Sequence, residues 1–212
     1  MNYFLVINLL LLIITNNWTI REKNEDIFKK LSQEIDKKSF SFSYDTLSIK
    51  NIRIIKPNFP EKHFGQSLID NDLKELLKMD YCEELGKAFI NYRITQITKN
   101  FISIIKEVEE QFCPHYASDS YYSETLNLIK INQVTYQIKG STFIRKEIFS
   151  LAKNKLPNSC MTDTNLNIIS IDLFFKNGKL YALNPFASRQ CELTIQLNLK
   201  KRSVEFFKIG VY

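Results

Sequence analysis

The sequence predicts an α+β fold: a long helix packed on a curved, mostly antiparallel sheet, with an N-terminal α/β extension. Three observations carry this reading. Apolar residues recur at 3.6-type spacing from Leu85 through Phe89, Tyr92, Ile97 and Phe101 to Phe112. Asn177-Gly178, inside "KNGK", supplies the two positive-φ residues of a type I′ hairpin turn. "CELTIQLNL" alternates cleanly, with Cys191, Leu193, Ile195, Leu197 and Leu199 on one face and Glu192, Thr194, Gln196 and Asn198 on the other.

Each element follows from its own local pattern. "NEDIFKKLSQEIDKK" carries Ile27, Leu31 and Ile35 at four-residue spacing, a short amphipathic helix. "SFSFSYDTLSIKNIRII" has the β-branched and aromatic alternation of strand. "KPNFPEKHFG" reads as a loop, and "QSLIDNDLKELLKMD" returns to helical spacing. The stretch from Glu83 almost to Pro114 holds no proline and reads as one helix of some 28 residues, about 42 Å long. "ETLNLIKINQVTYQIKG" offers two short strands, and a helix follows from Ser141 to about Asn154. Four antiparallel strands complete the chain: "NLNIISIDLFF", "KLYALNPFA", "CELTIQLNL" and "SVEFFKIGVY". Helices are thus expected on one side of the sheet.

The 212 residues, 44% of them hydrophobic, suffice for one core plus an extension, and the 25% charged residues exclude a membrane bundle. The apolar run Phe4 to Ile14 would rise only about 16 Å as a helix, half a bilayer core, so it reads as the apolar part of a secretory signal peptide over residues 1–20. A secreted protein whose mature chain starts between about Asn16 and Glu25 is expected, with no membrane span after cleavage. Four cysteines, Cys82, Cys113, Cys160 and Cys191, suit disulfides in that compartment, and none has CxxC spacing. A continuous helix between Cys82 and Cys113 would exclude that pair and with it Cys160–Cys191, leaving Cys113 to bond Cys191 or Cys160.

The net charge of +6 lies in the second half, where 13 basic residues stand against 7 acidic ones from Gln111 onward. Lysine outnumbers arginine 23 to 6, which points away from nucleic acid. His63 and His115 lack partners at metal-ligand spacing, and no phosphate-loop, dinucleotide or serine-hydrolase motif occurs, so neither metal nor cofactor is expected.

"YQIKGSTFIRKEIFSLA", with Gly140, Phe143 and Ile144, and "NIISIDLFFKNGKLYAL", with Asp172 before a hairpin, resemble the nuclear transport factor 2-like superfamily over about residues 83–212. The resemblance implies a cone-shaped α+β barrel with an apolar pocket between long helix and sheet. It leaves residues 22–80 as an extension or a degenerate repeat, because "GQSLIDNDLKELLK" from Gly65 parallels "GSTFIRKEIFSLAK" from Gly140. A non-catalytic role is expected: a small apolar ligand in the cone, or a protein partner on the sheet. The resemblance also implies two alternatives. One is a lyase- or isomerase-type enzyme with Asp172 as general base and Tyr181 or Tyr92 as its partner. The other is a structural module that dimerises through the sheet.

Overall fold

In the computed structural model, residues 24–49, 51–59, 63–76, 87–111, 120–156, 171–183 and 193–209 are described. A helix over 24–35 (α1) opens them, burying Ile27, Leu31 and Ile35 as their spacing predicts. Strands Ser43–Ile49 (β1) and Ile52–Asn58 (β2) form an antiparallel hairpin, followed by helix Phe64–Leu76 (α2). The chain then enters Lys87–Thr98 (β3), which runs parallel to β2 and pairs Ile54 with Ile90. A parallel neighbour requires a crossover, and α2 supplies it.

Where the apolar spacing predicts one long helix, the chain instead forms β3 and Phe101–Gln111 (β4), an antiparallel hairpin turning at Lys99-Asn100. The reason is two-sided burial. Ile102, Ile104 and Val108 of β4 face α2, while Phe101 and Ile105 belong to clusters on the opposite face. Apolar residues from both faces, with a register shift between Ile94 and Gln96, erase the period of two and imitate a helical one. The β-branched run through Ile90, Ile94, Thr95, Ile97, Thr98 and Ile102 was the contrary signal. With the helix gone, so is the ground for excluding a Cys82–Cys113 bond. All four cysteines lie outside the described residues, as do residues 1–23.

Ser120–Ile131 (β5) and Val134–Gly140 (β6) continue the sheet through a turn at Asn132 and Gln133, both at positive φ (48° and 68°). Helix Arg145–Ala152 (α3) follows a short 3₁₀ turn, Thr142–Ile144. Next come Leu173–Lys176 (β7), Lys179–Leu183 (β8) and Thr194–Leu197 (β9), a separate three-stranded sheet in that order. Asn177 and Gly178 make its first turn at φ 51° and 72°, as the sequence predicts, and Ile195 and Leu197 point inward. Val204–Ile209 (β10) does not join β9. It returns to the large sheet and pairs with β6, Val204 opposite Gly140.

The large sheet has the order β1-β2-β3-β4-β5-β6-β10, and among the described residues its two outer strands do not meet. It is an open sheet in an α+β fold, not a closed cone. Nor do the helices share one side. Ile69 and Leu73 of α2 pack on one face, while α1, α3 and the small sheet share a cluster on the other, with Phe101, Ile129 and Tyr136. The small sheet docks through polar groups as well. The edge of β7 would leave backbone groups unpaired, but Ser103 Oγ accepts from Phe175 N–H (2.8 Å) and Asn127 Nδ2 donates to the Leu173 carbonyl (2.6 Å). Ser103 and Asn127 are joined at 2.7 Å, and both are buried.

Candidate functional site

The residues named above for acid–base chemistry are not assembled. Tyr92 is buried on the α2 face, where its hydroxyl donates to Asp72 Oδ2 (2.6 Å), and Asp72 also accepts from Lys106 (3.1 Å). Tyr181 lies with the small sheet on the opposite face, stacked on Phe174 at 5.1 Å. Asp172 immediately precedes β7, half-buried, and its carbonyl accepts from Leu183 N–H (2.9 Å). None of the three lines either of the two clefts beside the 36–40 segment.

The larger cleft, about 500 Å³, opens where the β3–β4 and β5–β6 turns lie side by side, joined by Lys130 N–H to the Asn100 carbonyl (2.8 Å). Helix α1 contributes Lys30 and Glu34, the segment after it Lys37, and the two hairpins Lys99 and Lys130. Phe40, His63 and Phe64 form an apolar wall, with His63 and Phe64 rings 4.5 Å apart and Phe40 5.5 Å from His63. Hairpin turns and a helix face each supply a lysine, so the charges converge only in the folded chain.

Glu34 is committed to structure. It accepts from Thr98 (2.7 Å) and Asn100 (3.3 Å) and pairs with Lys37, which fixes α1 over the β3–β4 turn. Burial pushes its carboxyl up, but the hydrogen bonds from Lys37, Thr98 and Asn100 outweigh this, so its pKa falls below the usual carboxylate value. Lys30, Lys99 and Lys130, by contrast, have no ion-pair partner among the described residues.

His63 is a clasp between elements. Its Nε2–H donates to the Thr98 carbonyl (2.9 Å) and its Nδ1 accepts from Gly65 N–H (3.1 Å), a pairing that only the neutral ring satisfies. Burial depresses its pKa, and the charge of Lys130 adds to this against the opposing pull of the Thr98 carbonyl. A depressed pKa means the unfolded chain binds the proton more tightly, so this contribution to stability is complete above the ordinary value of 6.5 and is lost as pH falls through the folded pKa. Glu34 has the same sign and acts lower, below its ordinary 4.5. The melting temperature should therefore fall on acidification from about pH 8 to about pH 5, with the first loss setting in near the histidine value. A melting temperature that rises over that range would show His63 charged in the fold.

No sequence signature marks this cleft. Lys99-Asn100 reads as an ordinary helical pair when the hairpin is missed, and His63 reads as a loop residue. The elements define an α+β protein with two sheets and a lysine-lined cleft at the end of the larger one. Comparison with known proteins finds neither a matching family model nor a matching curated sequence.

Proposed function

We propose that the chain is a non-catalytic binding protein that holds an anionic ligand with a ring or apolar part in the larger cleft. The observation that carries this reading is the convergence of Lys30, Lys99 and Lys130, unpaired among the described residues, on a space bounded by Phe40 and Phe64. A volume of about 500 Å³ suits a small molecule or one segment of a longer one. The polar lining favours an anion over the wholly apolar ligand that a cone would take. The nuclear transport factor 2-like resemblance, its cone and its long helix are not needed for this reading, and neither is a general base at Asp172.

Titration with anilinonaphthalene sulfonate, a ring bearing a fixed charge, tests the proposal. Lys99→Ala with Lys130→Ala should weaken binding about tenfold, as expected for losing one exposed and one half-buried charge contact, and added salt should weaken the unaltered protein likewise. Equal affinity in the double variant, or for an uncharged naphthalene analogue, would overturn it.

The proposed setting is secretion with paired cysteines. The β3–β4 hairpin sets Lys87 opposite Gln111, so Cys82 and Cys113 are five and two residues from a paired position. Five residues reach up to about 17 Å, so this register does not by itself hold the two cysteines apart. Peptide mapping without reduction should link Cys82 to Cys113 and Cys160 to Cys191. Linkage of Cys113 to Cys160 or Cys191 would refute this pairing.

A further inference from the structure

Beside the larger cleft lies a second one, about 350 Å³, lined by Lys37, Lys38, Ser39, Thr95, Gln96 and Asn177. The 36–40 segment divides the two, and it is pinned at one end by Phe40 N–H to the Ile97 carbonyl (3.1 Å). Lys37 lines both clefts while paired with Glu34, so the wall between them carries an ion pair whose lysine borders each side. The lysines Lys130, Lys99, Lys37 and Lys38 thus run from one cleft into the next, interrupted in the second by Asp36.

We propose that the ligand is a chain, an acidic polysaccharide bearing sulfate or carboxylate groups, and that it occupies both clefts across Lys37. This rests on the anion-binding reading of the larger cleft. A compact anion would fill one cleft and gain nothing from the other, whereas a chain converts the second contact into an intramolecular one. The lining chemistry selects the class of chain. Among the described residues neither cleft is lined by arginine, the residue suited to bidentate phosphate recognition. Asn132, Gln133 and Asn177 offer amides that donate and accept together, which matches the hydroxyls of sugars. Phe40 and Phe64 give the carbon face of a sugar ring an apolar surface.

Calorimetric titration at about 0.15 M salt, with a sulfated disaccharide, a sulfated octasaccharide and a single-stranded oligonucleotide of matched charge, distinguishes the outcomes. The octasaccharide should bind about tenfold tighter per disaccharide unit, and Lys38→Glu should remove most of that gain. Lys38 is exposed, so the variant should fold, which circular dichroism checks. If the disaccharide binds and length adds nothing, the two-cleft inference fails while the anion site stands. If neither sugar binds and the sulfonate probe also fails, the anion site itself is wrong. An oligonucleotide that binds as tightly as the octasaccharide overturns the choice of polysaccharide.

Discussion

Gly140→Ala should destabilise the protein by about 3 kcal/mol or more, a large share of the stability of an ordinary domain. The glycine ends β6 and does not have positive φ, so backbone conformation is not the reason. A Cβ placed there would lie 2.3 Å from the Ile171 carbonyl oxygen and 2.9 Å from Ile171 Cβ. Ile171 leads directly into β7, so relief of the clash requires the small sheet to move off the large one. Gly178→Ala makes the natural contrast. Its φ of 72° costs a side chain about 1 kcal/mol, with Asp36 Oδ1 at 3.2 Å as the nearest atom. Urea unfolding of both variants should rank Gly140→Ala well below Gly178→Ala. A Gly140→Ala protein as stable as the parent would mean that Ile171 does not press on this strand.

Asn127→Leu should cost about 2 to 5 kcal/mol although leucine matches the asparagine in size. The Leu173 carbonyl would lose its donor and the Ser103 hydroxyl its acceptor, both in a buried interface. Each buried group left without a partner costs about 1 to 3 kcal/mol. Ser103 would still accept from Phe175 N–H and Thr95 Oγ1, so the small sheet would be weakened and not released. Thermal melts read the effect directly. A melting temperature within a degree of the parent would show that water replaces the asparagine, and the account of how β7 is capped would need revision.

Legibility of this fold in the sequence follows burial. Asn177-Gly178, the alternation around Ile195 and Leu197, and the Ile27, Leu31, Ile35 stripe each describe an element with one buried face, and each was readable. The β3–β4 hairpin is the opposite case. Its central residues touch apolar neighbours on both faces, so hydrophobicity no longer reports direction, and only the β-branched content spoke for strand. Pairing β10 with β6 and not with β9 is a choice between distant partners that no local pattern encodes. The cleft was illegible for the same reason: Lys30, Lys99 and Lys130 are brought together by pairing across the chain, and none stands in a motif.

The return of β10 to β6 also sets how the molecule breathes. Pairing Val204 with Gly140 closes, through the hydrogen-bonded β6–β10 ladder, the loop of chain that carries the small sheet, which is therefore tethered at both ends to one edge of the large sheet. When β7 to β9 lift away, they remain at high effective concentration and reclose far faster than a terminal segment would. Amide exchange should accordingly show two levels. The hydrogens of β7 to β9 should exchange together through a shared opening, and those of the β6–β10 ladder should persist until the loop itself comes apart.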